Sequence, residues 1–597
     1  MDNPNRSEVP VADTWDLSSL FPKDETWNAA LAEFEQLIPG FAPFAGRLGS
    51  SPEVLAQCLE FDCRVDHLAE RIGVYASLRT SENQTNSTYQ GYLARYYSAA
   101  TKAGQAASFI RPEILSIPQD RLLSFLEHPA LAPFKLVLER INRFRAHTLS
   151  QSEERLMAMQ GEMAQTASKA FRQLNDADLK FGKIKNEKGV EQDLTNASFS
   201  SFLISPDRDV RRNAFHQYYA EFEAHENTLA ATLAGSVHTD VYYAKARNYP
   251  SARESSLFGD NVPVSVYDNL IASVRKNLPA VHHYFELRRR KMGLADIHHY
   301  DTYVPILADR QTHYTWDQAV DVVLDSLQPL GSEYGKTLEA GLRGRWCDRY
   351  PNKGKRSGAF SSGAYDSDPF ILMNYKPTVL NDVFTLTHEA GHSMHTYYSS
   401  KNQPFHYYSY TIFVAEVAST FNEQLLAKYL IDRASTKEER AALINHEVDS
   451  IRATIVRQTM FAEFEKIVHE MAEAGEPLTV ASMRQAYREL LEAYFGPDFA
   501  LDDQLSLECF RIPHFYNAFY VYKYATGLSA AIALSRRVLQ GGPQELDDYM
   551  SFLKGGCSKD PLDLLRGAGV DMSQPEPVDI ALTEFGKLVQ ELDELLV

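Results

Sequence analysis

The stretch His388-Glu389-Ala390-Gly391-His392 combines residue types and spacing that could carry out a hydrolysis. Four residues make about one helical turn, so on a helix both imidazoles leave from one face and can bind a single zinc ion. Glu389 then stands beside them, able to reach a water on the metal rather than the metal itself. Zinc lowers the pKa of such a water to about 7, and a carboxylate can take its proton as it attacks a carbonyl. The match to H-E-x-x-H therefore predicts metal-assisted hydrolysis, provided the segment is helical.

Zinc needs a third protein ligand and an open position. A metzincin would carry Gly at 395 and His at 398; this chain has His395 and Tyr398, which excludes that class. The alternative is a carboxylate from a following helix. In YTIFVAEVASTFNEQLLAKYL, Glu416 and Glu423 lie seven residues apart and share a helical face, in otherwise apolar surroundings where a carboxylate needs a partner. His395 is a rival ligand, or a residue that orients a neighbour or packs. The adjacent pairs His282-His283 and His298-His299 point in different directions on any regular element and are poor ligands.

The elements that must position these residues are mostly helical. Val383, Phe384 and Leu386 precede the motif without an intervening proline, and a helix is predicted from near Leu380. Gly391 costs such a helix about 1 kcal/mol relative to Ala, which points to close approach of another backbone. Further upstream, Ser51-Pro52-Glu53 is a helix start, followed by Leu55, Cys58, Leu59, Val65, Leu68, Ile72 and Tyr75 at helical spacing. Ser150-x-x-Glu153 reads as a capping box opening a helix with Leu156, Met159 and Met163 on its core side. A hairpin is expected near 178–195, turning at Asn186–Gly189, and the domain boundary is placed there: an N-terminal helical domain 1–195 and a catalytic domain 196–597. The Gly- and Ser-rich segment 341–368 reads as a loop or irregular strands. An edge strand near Ala359–Ala364 could pair with an extended peptide, and a plain surface loop fits equally well.

Composition narrows the partners. The formal charge of −19 argues against nucleic acid or an anionic membrane. No apolar run is long enough to span a bilayer, and the first residues lack the pattern of a secretory signal. Five cysteines without a C-x-x-C pair fit a reducing cytoplasm rather than a disulfide framework.

HEAGHSMH followed by EVASTFNE resembles the oligoendopeptidase F branch of the thimet-oligopeptidase-like zinc metallopeptidases. GKRSGAF before the motif, RIPHFYNAFYVYKYATG after it and GGCSKDPLDLLRGAGVD near the end agree in order and spacing, with a weaker echo in WDLSSLF. The resemblance implies a mainly α fold, two helical parts enclosing a deep substrate channel, with a small β-sheet beside the zinc-site helix. It implies one zinc held by His388, His392 and Glu416, with Glu389 as general base, and internal cleavage of short peptides. It also implies transition-state stabilisers from the C-terminal His and Tyr block, whose tyrosine spacing here departs from the thimet-type pattern. An oxyanion needs donors besides the metal. If the block is one helix, Tyr516, Tyr520 and Tyr524 share a face and Tyr522 points elsewhere, so His514, Tyr520 and Tyr524 are the expected donors. A peptidyl-dipeptidase or carboxypeptidase on the same scaffold is the alternative, with Arg511 able to grip a terminal carboxylate; a non-catalytic helical peptide-binding protein is the other.

Overall fold

A computed structural model describes residues 3–307 and 313–596. The chain is mainly helical with two small sheets, and it folds as two compact units that each draw on separated stretches. One unit takes the chain up to Thr148, the stretch ending at Tyr429 that carries the HEAGH motif, and Leu534–Gly569. The other begins at Leu149, resumes over Leu430–Ala533 and takes the chain from Val570 onward.

In the first unit, helix α1 (Pro52–Glu82) starts as its sequence dictates: Pro52 holds the first helical position and the Ser51 side chain accepts from the Val54 amide at 3.3 Å. Leu55, Cys58, Leu59, Val65, Ile72 and Tyr75 are buried, while Leu68 packs from the rim. Trp27 lies in the same core, stacked on Tyr92 at 4.1 Å. A three-stranded sheet follows from the Gly-rich segment, formed by β3 (Cys347–Asp348), β4 (Phe360–Ser362) and β5 (Phe370–Leu372). The central strand β5 runs parallel to β3 and antiparallel to β4, pairing Cys347 with Ile371 and Phe360 with Leu372. All of β5 is buried, and β4 is an edge strand with no second strand partner among the described residues. Both β4 and β5 pack on helix α2 (Leu380–Asn402), which carries the motif.

In the second unit, β1 (Lys183–Lys185) and β2 (Glu191–Asp193) form the expected hairpin, with Gly189 in the left-handed region at φ 73°. Helix Arg208–Ala224 packs against it, and a second helix, Glu226–Ala246, follows after a break at His225. The capping box at Ser150 and Glu153 forms, but its helix, Gln151–Met159, turns the other way round. Leu156, Met159 and Met163 are 60%, 71% and 68% exposed, which corrects the core assignment. The helix is only two and a half turns long, and it buries the neighbouring Met157 instead, whose sulfur lies 3.5 Å from the Tyr242 hydroxyl.

Candidate metal centre

The motif lies in the middle of α2, where Val383, Phe384, Leu386, Ala390 and Met394 are buried and hold the helix in place. The second ligand-bearing element is helix α3 (Ile412–Arg433). The two helices cross where Gly391 faces Ser419: a Cβ on Gly391 would sit 2.5 Å from Ser419 Cα and 2.6 Å from the Ala418 carbonyl oxygen. Close backbone approach is therefore the reason for this glycine, and it brings Glu416 up to the two histidines.

His388 Nε2 and His392 Nε2 are 3.2 Å apart, and Glu416 Oε2 lies 3.3 Å from the first and 3.6 Å from the second. A tetrahedral zinc with ligands at about 2.0–2.1 Å has ligand-to-ligand edges of about 3.3 Å. The three atoms thus outline one face of such a tetrahedron, and two imidazoles with one carboxylate are a chemically suitable zinc set. His388, His392 and Glu416 are the one group among the described residues whose His, Cys and carboxylate atoms could hold a metal ion. Glu423, two turns further along α3, instead receives His388 Nδ1 at 2.6 Å, which fixes the ring so that Nε2 faces the triad. His395 joins neither set: it is buried and stacked on Tyr410 at 3.7 Å with the rings nearly parallel.

Burial and close partners compete in the electrostatics. It raises the Glu389 carboxyl to about 7, with the Glu416 charge adding to it and His388 opposing. Burial would lower His388, but hydrogen bonds to Glu416 and Glu423 raise it to about 10. His392 is lowered to about 4 by burial and by the charge of His388. Glu416 is lowered overall, because the two histidines outweigh its desolvation. Glu389 also hydrogen-bonds to the backbone of Ser361 on β4, and Ser361 Oγ meets Ser393 Oγ at 2.8 Å, which ties the strand to α2. Sequence reasoning did not single out Ser361 or Ser393; a serine in a Gly-rich loop carries no signal of such a contact.

The C-terminal residues belong to the second unit. His514 lies on a short 3₁₀ turn (Pro513–Tyr516), and helix α5 (Tyr522–Gln540) starts only after an irregular stretch, so the single-helix premise does not hold. The rings of His514, Tyr520 and Tyr524 nevertheless gather: their centroids are 6.4 Å apart for His514–Tyr520, 6.2 Å for His514–Tyr524 and 5.4 Å for Tyr520–Tyr524. Tyr516 leaves the group, stacking on Phe171 at 4.3 Å and bonding Thr232 at 2.8 Å, and Tyr522 is fully buried. Arg511 is already engaged, at 2.6 Å from Glu508 and 3.1 Å from the Tyr219 hydroxyl.

Comparison with known proteins adds an independent line. Residues 201–584 match the model of peptidase family M3, and residues 113–181 match that of oligopeptidase F. The chain is 44% identical to oligopeptidase PepF of Bacillus subtilis over 595 residues, which covers 100% of this chain and 89% of that protein. Among solved structures, a chain from Chlamydophila abortus superposes with a TM-score of 0.95 at 36% identity, covering 100% of both chains. Oligoendopeptidase-F from Enterococcus faecium gives 0.74 at 34% identity, covering 96% of this chain and 99% of its own.

Proposed function

The chain belongs to peptidase family M3 and is a metalloendopeptidase, and from that premise we propose that it uses zinc to hydrolyse internal bonds of short oligopeptides. The observation that carries this reading is the triad of His388, His392 and Glu416, whose ligand atoms stand at the edges a tetrahedral zinc requires. When bound, zinc supplies Lewis acidity, polarising the scissile carbonyl and making water nucleophilic near neutral pH. Glu389 takes the proton from the attacking water and delivers it to the leaving amine. Burial favours the protonated form of this carboxyl, which suits a group that must hold the proton between the two steps. Glu423 holds His388 in the orientation that presents Nε2. His514, Tyr520 and Tyr524 donate hydrogen bonds to the developing oxyanion, a role supported by the gathering of their three rings at partly exposed positions. The outer edge of β4 receives the extended substrate backbone.

The functional division is an N-terminal helical domain 1–195 and a metallopeptidase domain 196–597, supported by the family matches at 113–181 and 201–584. The compact units cut across it, since the first unit combines stretches from both. A cytoplasmic location is supported by the five free cysteines. No observation favours an exopeptidase over the endopeptidase, because Arg511 is paired with Glu508 rather than free to grip a terminal carboxylate.

The test is cleavage of an end-blocked, internally quenched peptide with and without chelator, beside Glu389→Gln. Loss of activity with chelator and its return with zinc are expected, together with a nearly inactive Glu389→Gln. Full activity in that variant would remove the base, and failure to cut an end-blocked peptide would favour the exopeptidase.

A further inference from the structure

Phe519 adopts φ 58°, in the left-handed region where a bulky side chain is an outlier. It is not a surface accident. The ring is 1% exposed, packed 4.6 Å from His469 and 5.8 Å from Tyr267. A conformation that a phenylalanine disfavours persists only where its surroundings over-determine it, and such residues concentrate at functional sites. Phe519 immediately precedes Tyr520 and stands in the irregular stretch between the 3₁₀ turn at Pro513–Tyr516 and the start of α5.

The surroundings that hold it are specific. Helix α4 (Arg457–Ala474) carries Glu465, itself 1% exposed, and Glu465 Oε1 accepts the Phe519 amide at 3.1 Å. The other carboxyl oxygen, Oε2, is buried without a hydrogen-bond partner among the described residues. Burial pushes this carboxyl above the usual range; the Phe519 amide opposes that and the nearby Asp240 adds to it. Two further ties fix the same stretch: Ser256 Oγ donates to the Ala518 carbonyl at 3.3 Å, and Lys523 Nζ pairs with Asp260 at 2.8 Å. A carboxyl buried with one oxygen unpartnered is a costly way to satisfy one amide if packing were its sole purpose. Its effect is to fix one backbone direction between two ring-bearing segments.

We propose that Glu465 is a positioning residue whose buried carboxyl group locks Phe519 in the left-handed conformation and so aims Tyr520 and Tyr524 alongside His514. The inference rests on the reading of those three rings as oxyanion donors. Rotating Phe519 into an ordinary conformation would redirect everything between Ala518 and the first turn of α5, and with it the 5.4 Å approach of the two tyrosines. Nothing in the residue types at 465 or 519 signals this coupling, since the two positions lie 54 residues apart and touch through a backbone amide.

The test compares Glu465→Gln, which keeps an acceptor oxygen, with Glu465→Leu, which keeps similar bulk and loses it. Tyr520→Phe and Tyr524→Phe are measured beside them, along with amide hydrogen exchange at Phe519. Glu465→Gln is expected to keep kcat within about twofold. Glu465→Leu is expected to remain folded with its zinc content intact, lose about tenfold or more in kcat with KM changing less, and exchange the Phe519 amide faster. Combining Glu465→Leu with Tyr520→Phe should cost little more than either alone, because both act through the same hydroxyl. Unaltered exchange in Glu465→Leu overturns the proposal. So does wild-type kcat in a folded Glu465→Leu when the tyrosine variants are impaired. Wild-type kcat in both tyrosine variants overturns the oxyanion-donor reading instead, and the exchange result alone then decides whether Glu465 holds the turn.

Discussion

Replacing Gly391 by alanine sets two effects of opposite sign against each other. Alanine in a helix interior is favoured over glycine by about 1 kcal/mol, so propensity alone makes Gly391→Ala stabilising. The new Cβ, however, would stand 2.5 Å from Ser419 Cα and 2.6 Å from the Ala418 carbonyl oxygen. Carbon atoms are comfortable at about 3.5–4.0 Å, so the crossing of α2 and α3 must open by roughly 1 Å. Overpacking of this kind costs about 1–3 kcal/mol, which cancels or exceeds the propensity gain. The larger consequence falls on the metal. Glu416 lies on α3 and the histidines on α2, whereas zinc–ligand distances tolerate only about 0.2 Å. Gly391→Ala is therefore expected to weaken zinc binding at least about tenfold while the thermal midpoint falls only modestly. Competition with a chelating indicator measures the first quantity and circular dichroism the second. Because the obstructing atoms are backbone, trimming Ser419 to glycine should not restore affinity. A Gly391→Ala protein with a raised midpoint and unchanged zinc affinity would refute the claim that this crossing sets the ligand geometry.

Other consequences can be measured directly. Glu416→Ala should nearly abolish zinc binding, while Glu423→Ala should weaken it by about 10–100-fold through loss of the His388 Nδ1 partner; equal effects would undermine the distinction between ligand and orienting carboxylate. Burial lowers His299 to about 3, against an ordinary value near 6.5. The unfolded chain then binds more protons than the folded one as pH drops below about 6.5, and stability should fall by up to about 1.4 kcal/mol per pH unit from this group. Glu389 and His392 also shift across this range, so the expected signature is a difference: between pH 6.5 and 5 the wild-type thermal midpoint should fall further than that of His299→Gln. Equal changes in the two proteins would show that the imidazole can be protonated in place. Addition of chelator should abolish peptide cleavage and lower the thermal midpoint, and zinc should restore both.

Much of the site was legible because a helix has a fixed period. Two histidines four apart and a carboxylate on a following helix needed only regular elements to meet, and Gly391 announced the crossing that joins them. The aromatic block was harder. Its helical-face argument assumed one continuous helix from Tyr516 to Tyr524, whereas α5 begins at Tyr522. Tyr516 is drawn off by Phe171 and Thr232, partners distant in sequence, while the left-handed Phe519 turns Tyr520 towards His514. Neither effect has a sequence signature. The stripe of Leu156, Met159 and Met163 misled for a related reason: the helix ends at Met159 and Met163 falls in the next short helix, Gly161–Ala164, so the spacing runs across two elements. Glu423 was visible as a carboxylate on the right face, but the choice between ligand and ligand support needed the 2.6 Å contact.

The composition of the first unit bears on how the protein is made. His388, His392 and Glu416 are made well before Leu534–Gly569, the stretch that completes the unit holding them. Within that late stretch Cys557 donates its amide to the Tyr407 carbonyl at 2.7 Å, and Gly556 fits so tightly against Tyr407 and Ser399 that no side chain could replace its hydrogen. At about 5–20 residues per second, the ribosome needs on the order of ten seconds to pass from the last ligand to this clasp. During that interval the two imidazoles and the carboxylate belong to an unfinished core. A nascent chain stalled before residue 534 therefore holds every ligand while lacking the stretch that completes the unit around them.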